Sequence, residues 1–271
     1  MSFRKLYERT FVEVDDYLAA NVLTVPAHLR LMAEAVRRRE PICHVRFNDG
    51  ECAAAFKMFP PEQVNGDDHH YFPDVGEALL RMLDEVAVPD PRVLFGSFAL
   101  WYNDYPIGRA LCDHLGDRFQ SIRLTGELWC QEWEPIGTDE MLDLLDALRE
   151  SGRAVLVSND LVRDARHCIA AEHVSVPLRD AWLDRDRVRR ECFAHAERNP
   201  EAVFAWCGGY LAKVLSWETF KRFPRTTHLD FGSTFDGAFG HESREWLRKQ
   251  ESPMWTCYRD VFIPYVRGFV P

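Results

Sequence analysis

No stretch of this 271-residue chain approaches the ~20 consecutive apolar residues that a membrane-spanning helix needs, so no membrane span is expected. The opening residues lack the uninterrupted apolar core of an export signal, and a cytoplasmic location is expected. Positive charge is also scarce: 33 Lys and Arg face 43 Asp and Glu, a formal net charge of −10. A phosphate-backbone partner normally meets a basic patch, so no nucleic-acid partner is expected. The eight cysteines, at 43, 52, 112, 130, 168, 192, 207 and 257, form no Cys-x-x-Cys pair. That spacing points to neither a zinc knuckle nor a disulfide framework and fits free thiols in a reducing compartment. There is no Gly-x-Ser-x-Gly elbow, no His-Glu-x-x-His, no Gly-x-Gly-x-x-Gly fingerprint and no P-loop. Covalent hydrolases, zinc proteases, classical NAD enzymes and P-loop NTPases therefore lose their usual markers.

What is present alternates between two periods. Short apolar runs at Ile42–Phe47, Arg92–Gly96, Phe119–Leu124, Ala154–Val157, Val174–Val176, Ala202–Trp206 and Thr226–Phe231 read as strands. Between them lie amphipathic segments that read as helices: Val75–Val86, Pro106–Leu115, one carrying Met141, Leu144, Leu145 and Leu148, then Leu161–Ala171, Arg187–Glu197 and Tyr210–Arg222. Strands spaced by helices predict right-handed crossovers and a Rossmann-like α/β fold, a mainly parallel sheet flanked by helices. A single domain over 1–271 is expected: a helical N-terminal lead-in over 1–40, with a helix from Pro26, a core over 41–236 and an extension over 237–271. The apolar tail Val261–Phe269 is expected to pack on the domain or on a second subunit of a homo-oligomer.

Three segments carry candidate chemistry. Asn48-Asp49-Gly50-Glu51 ends the first strong strand with two carboxylates one residue apart, at the sheet edge where α/β proteins bind ligands. Such hard oxygen donors suit Mg²⁺ or Mn²⁺, although the motif by itself reads first as a capped turn with no metal. Cys207-Gly208-Gly209-Tyr210 turns a strand into a helix, and the helix amides there are placed to meet a diphosphate, unless the glycines serve packing alone. Asp230 and Asp236 follow the last strand. Asp230 is a candidate for a ribose, a sugar hydroxyl or a metal-bound water, and Asp236 for the base that activates an acceptor hydroxyl. The loop Asp67-Asp68-His69-His70 reads as solvated, because consecutive residues rarely converge on one ion. Trp101, Tyr102, Tyr105, Trp129 and Trp133 read either as stacking faces or as core.

Arg46-Phe47-Asn48-Asp49-Gly50-Glu51 resembles the Arg-Phe-Gly-Asp-Gly-Glu motif of the GT-D fold glycosyltransferases, a bacterial family with a D-x-E element. Gly208-Gly209-Tyr210-Leu211-Ala212-Lys213-Val214-Leu215 is similar to the family's Gly-Pro-x-Ala-x-x-Leu, and Asp230-Phe231-Gly232-Ser233 to its Asp-x-Gly-His. Asn159-Asp160-Leu161 and Pro177-Leu178-Arg179-Asp180-Ala181-Trp182 resemble its Asn-Asp-Leu and Pro-x-x-Asn-Ala-Phe, which lie around the nucleotide. The elements run in the family's order from Pro41 to Asp236. Asn48, Asp180 and Ser233 stand where the family has Gly, Asn and His.

The resemblance implies metal-dependent transfer of a sugar from a nucleoside diphosphate sugar, a UDP-sugar foremost. Asp49 and Glu51 would hold Mn²⁺ or Mg²⁺. Arg46, Asn159, Asp180, Gly208 and Gly209 would line the donor, and Asp230 or Asp236 would be the base. Donor sugar and acceptor stay open at this point. A nucleotide-sugar hydrolase and a non-catalytic nucleotide-binding protein are the alternatives.

Overall fold

The computed structural model describes residues 22–58, 60, 63–64, 69–88, 90–96, 106–116, 118, 124–125, 137–242, 247 and 253–271. Eight strands form one sheet: β1 (Val22–Leu23), β2 (Cys43–Arg46), β3 (Val93–Gly96), β4 (Leu124–Thr125), β5 (Ala154–Ser158), β6 (Glu172–Ser175), β7 (Val203–Cys207) and β8 (Thr227–Asp230). Their spatial order is β1-β4-β3-β2-β8-β7-β5-β6, and every ladder between them is parallel. The α/β, Rossmann-like architecture read from the sequence is the one observed.

Helices cover both faces: α1 (Val25–Arg38), α2 (Asp49–Ala55), α3 (Pro73–Val86), α4 (Pro106–Leu115), α5 (Thr138–Ser151), α6 (Ala165–Cys168), α7 (Arg185–Arg198) and α8 (Gly209–Arg222). Side chains alternate across a strand, and the core divides accordingly. Val155, Val157, Phe204 and Trp206 face one cluster with α3, α7 and α8, while Ala154, Leu156, Val203 and Ala205 face the other with α1 and α5. A parallel sheet buried on both sides accounts for the near-continuous apolar strands.

The connections explain where a ligand belongs. From β5 the chain moves outward to β6 through α6, whose Ala165 and Cys168 lie in one core cluster. From β7 it moves the opposite way to β8 through α8, whose Leu211 and Leu215 lie in the other. Right-handed crossovers running in opposite directions must place their helices on opposite faces. The connections leaving the carboxyl ends of β5 and β7 therefore diverge at a topological switch point, the usual ligand crevice of such sheets.

Several local expectations change. The helix expected over Leu161–Ala171 is broken into a 3₁₀ turn at Asp160–Val162 and the single-turn α6. Asn159 caps the turn by accepting from the Leu161 amide at 2.9 Å. Ala170, in the left-handed region at φ 49°, then closes α6, with the Ala171 amide reaching back to the Arg166 carbonyl at 2.8 Å. Within the lead-in, where the sequence predicts helix, Val22–Leu23 instead form β1 and pair with β4. Residues 1–21, most of 119–124 and the aromatic residues Trp101, Tyr102, Tyr105, Trp129 and Trp133 lie outside the described residues. No helix among the described residues is long and apolar enough to cross a membrane.

The C-terminal segment packs on its own domain. Tyr258, Phe262 and Val266 are fully buried in the cluster that holds Phe231 and Phe235. The Tyr258 hydroxyl donates to the Thr234 carbonyl at 2.7 Å and accepts from the Ala238 amide at 3.2 Å, pinning the loop that follows β8. Tyr258→Phe removes the acceptor of a buried amide and is expected to cost about 1–3 kcal/mol. Urea unfolding of the variant and wild type, compared at equal slope, measures it.

Candidate active site

Four charged side chains meet at the carboxyl edge of the central strands. Arg46 ends β2, Asp230 ends β8, Glu51 lies in the first turn of α2 and Lys213 in the second turn of α8. All are buried, with Arg46 and Asp230 3% exposed, Lys213 4% and Glu51 9%. Lys213 Nζ donates to Asp230 Oδ2 and lies 3.9 Å from Glu51 Oε1. Arg46 meets Asp230 twice, through its backbone amide to Oδ2 at 3.2 Å and Nη2 to Oδ1 at 3.5 Å. The Gly232 amide also donates to Asp230 Oδ1, at 3.1 Å. Gly232 has φ +52°, and a Cβ at this position would lie 1.9 Å from Arg46 Nη2. Backbone conformation and guanidinium thus both require glycine here.

This environment sets the protonation of the two acids in opposite directions. Burial opposes ionisation of Asp230, but Lys213 and Arg46 outweigh it and hold the carboxyl well below the usual carboxylate range. Burial raises the Glu51 carboxyl, with Asp230 adding to the rise and Lys213 opposing it. Asp230 is an ionised anchor with four donors around it, a poor proton acceptor. That surrounding favours Asp236 over Asp230 as the candidate base. Asp236 is 7% exposed at the start of the 3₁₀ turn Asp236–Phe239. It lies near enough to the end of β7 that, after burial itself, its charge helps raise the Cys207 thiol.

Asp49 and Glu51 do not occupy a turn, as the sequence predicts, but the first turn of α2, where acidic residues complement the helix dipole. The Asn48 amide donates to Glu51 Oε2 at 3.0 Å, the reciprocal half of a capping box. Residues two apart on a helix sit roughly 200° apart around its axis. Glu51 therefore turns into the buried cluster while Asp49 is exposed. Among the described residues, no group of three or more His, Cys, Asp or Glu gathers as metal ligands would.

The glycine turn sits beside the switch point. Gly208 precedes α8, Gly209 begins it with φ +55°, and Ser158 at the end of β5 is in register with Cys207 at the end of β7. Asn159 follows directly, its side-chain oxygen committed to the Leu161 amide. Asp180 closes the recess from the other side in a left-handed conformation, φ 48°.

Two residues of the loop read as solvated hold Asp180 in place. His70 Nδ1 lies 2.9 Å from Asp180 Oδ2, and the His70 amide donates to Asp180 Oδ1 at 2.9 Å. The Asp180 amide donates to His69 Nδ1 at 3.0 Å. Nδ1 of His69 is therefore an acceptor, which assigns the ring proton of the neutral form to Nε2. That nitrogen faces the glycine turn, 3.5 Å from where a Gly209 Cβ would stand. His69, His70, Phe72, Asp180, Trp182, Gly208 and Tyr210 line a recess there. Asp67 and Asp68 lie outside the described residues.

The structure thus gathers Arg46, Glu51, Asp230 and Lys213, sets Gly208, Gly209 and Asp180 beside a common recess, and leaves Asp49 outside the cluster. Lys213 has no role in the sequence reading, and His69, read there as solvated, is instead bound to the Asp180 amide. A lone lysine within Leu211-Ala212-Lys213-Val214-Leu215, four residues after Gly209, was the available signal for the first. The second depends on a contact 111 residues distant in sequence.

No protein-family model and no curated protein sequence matches the chain. Solved structures do. One described as "domain of unknown function 1792 (DUF1792)" aligns over 90% of this chain and 87% of its own, with TM-score 0.55 and 16% identity. Another, described as showing that this domain "has a distinct glycosyltransferase fold", has the same coverage and identity and a TM-score of 0.54. This chain has the DUF1792 fold. A third, "A New Glycosyltransferase (DUF1792) from Streptococcus sanguinis", covers 84% of this chain and 85% of its own at 12% identity and TM-score 0.54. The GT-D fold expected from the motifs is therefore the one observed.

Asp230→Asn strands Lys213 and Arg46 in a buried site, and breaking such a pair is expected to cost about 3–5 kcal/mol near neutral pH. A carboxyl whose folded pKa is depressed contributes stability that is fully present above its unfolded pKa and is lost as pH falls toward the folded value. The difference between wild type and variant should therefore be constant near pH 7 and shrink as pH falls below about 4. Denaturant titrations at a series of pH values give the curve.

Proposed function

We propose that this chain transfers a sugar from a nucleoside diphosphate sugar, a UDP-sugar foremost, to an acceptor hydroxyl, and that it does so in the cytoplasm. The observation that supports this most is the coincidence of a glycosyltransferase fold over about nine-tenths of the chain with a recess beside the Gly208–Gly209 turn that His69, His70 and Asp180 help to line. That recess has the parts such a transfer needs.

The glycine turn gives the diphosphate close access to the first amides of α8, where the helix dipole favours negative charge. His69 Nε2 faces the same spot. Asp180, fixed by both histidines, and Asn159, across the crevice, form the walls of the donor pocket. Charge builds on the diphosphate as its bond to the sugar breaks, and donors fixed in advance stabilise it without reorganising. Asp236 accepts the proton of the attacking hydroxyl. Asp230 and Lys213 fix the carboxyl ends of β8 and α8 relative to each other, so that this base and the glycine turn keep their spacing.

A Mn²⁺ or Mg²⁺ ion shared by Asp49 and Glu51, as the resemblance implies, does not fit the residues as placed. The two carboxylates point apart around α2, and Glu51 is already held by the Asn48 amide and Lys213.

The direct test is incubation of the protein with a panel of nucleoside diphosphate sugars and hydroxyl acceptors, with products followed by mass spectrometry. A glycosylated acceptor is expected. Free sugar alone marks a hydrolase, and donor binding without turnover marks a binding protein. Gly209→Val adds a branched side chain at φ +55° beside His69 Nε2. With the fold retained by circular dichroism, it should lower transfer by about a hundredfold, the cost of displacing a reacting group by an ångström. Unchanged transfer would remove the diphosphate from that turn.

A further inference from the structure

The buried cluster already contains a cation. Lys213 Nζ stands between Glu51 and Asp230, on two carboxylates contributed by different elements. Arg46 adds a second positive charge on Asp230. Across these four side chains two positive groups balance two acids, whereas Mg²⁺ and similar hard cations are bound through carboxylate oxygens. The geometry of α2 leaves only Asp49 exposed, so one carboxylate rather than two is open to an ion from solvent. Lys213 also lies four residues after Gly209 on α8, hence on the same helix face, one turn below the glycine turn.

We infer that Lys213 is the resident cation of this site, occupying the place of a divalent ion between Glu51 and Asp230, so that this chain binds its donor diphosphate without Mn²⁺ or Mg²⁺. The second half rests on the proposed nucleotide-sugar reading; the first does not. The ammonium bridges two acids as an ion would, and its four-carbon stem ties that bridge to the helix whose N-terminus faces the diphosphate. Protein charge replaces exchangeable charge, and the site is assembled by folding alone.

Two titrations of the wild-type protein decide it. Mn²⁺ alone, followed by calorimetry and by the electron paramagnetic resonance of free Mn²⁺, should show no saturable site that Glu51→Gln or Asp49→Asn abolishes. UDP binding in EDTA should match binding in Mn²⁺ within twofold. A saturable Mn²⁺ site lost in either variant, or UDP binding at least tenfold tighter with Mn²⁺, overturns the inference. Lys213→Ala empties the space between two acids and, if folded by circular dichroism, should acquire Mn²⁺ binding that the wild type lacks. A folded Lys213→Ala protein that takes up no Mn²⁺ also overturns it. If the variant does not fold, the two wild-type titrations still decide. Failure of UDP and every other nucleoside diphosphate to bind under any condition counts against the nucleotide-sugar reading, while the Mn²⁺ titration still decides the role of Lys213.

Discussion

The ion pair between Lys213 and Asp230 is the constraint on which the rest of the edge depends. Taking both charges out of water costs several kcal/mol per ion before any attraction is counted, so the pair persists only because neighbours complete it. Arg46 and the amides of Arg46 and Gly232 surround Asp230, and Glu51 takes the other side of Lys213. The consequence is mechanical. The end of β2, the start of α2, the second turn of α8 and the end of β8 are tied to one point, and none can shift without exposing a buried charge. Gly232 shows how closely the backbone is fitted to that point, since even a methyl group would collide with Arg46.

Topology determines what that rigidity supports. The crossovers from β5 and β7 leave in opposite directions, and a recess beside that divergence is lined by Gly208, Asp180, His69 and His70. The histidine clasp on Asp180 brings a loop from between α2 and α3 across to the far side of the sheet. The recess and the charge cluster are thus distinct: on the proposed function the recess takes the donor, and the cluster holds the strand and helix ends in register. Asp230, which a motif reading places among the candidate bases, belongs to the cluster. Asp236 lies within the segment that Tyr258 ties down at Thr234 and Ala238, outside that cluster.

Much of this was legible in the residues. Apolar runs such as Ala154–Val157 and Ala202–Trp206 can only be strands buried on both faces, and the helix Pro106–Leu115 was bounded to the residue by its proline and its apolar period. The glycine turn was legible because Gly-Gly between an apolar strand and a helix leaves few alternatives. What escaped depends on distance. The direction in which Glu51 points is fixed by α2 beginning at Asp49 and by Lys213, 162 positions on, and no local pattern encodes that meeting. His69 and His70 look like a solvated loop until Asp180 is brought against them. The helix expected over Leu161–Ala171 failed for a local reason, the competing Asn159 cap and the left-handed Ala170 that ends it one turn after it starts.

The central claim is that protein charges, anchored by Lys213 and Asp230, organise a diphosphate site at the ends of β7 and β8. A crystal structure of the protein with UDP, grown in Mn²⁺ and measured at the manganese absorption edge, tests it most directly. The account predicts the diphosphate over the Gly208–Gly209 turn, within hydrogen-bonding distance of His69, Lys213 still on Asp230, and no anomalous peak between Glu51 and Asp230. An anomalous peak coordinated by Glu51, with Lys213 displaced, or a diphosphate bound away from the glycine turn, would contradict it.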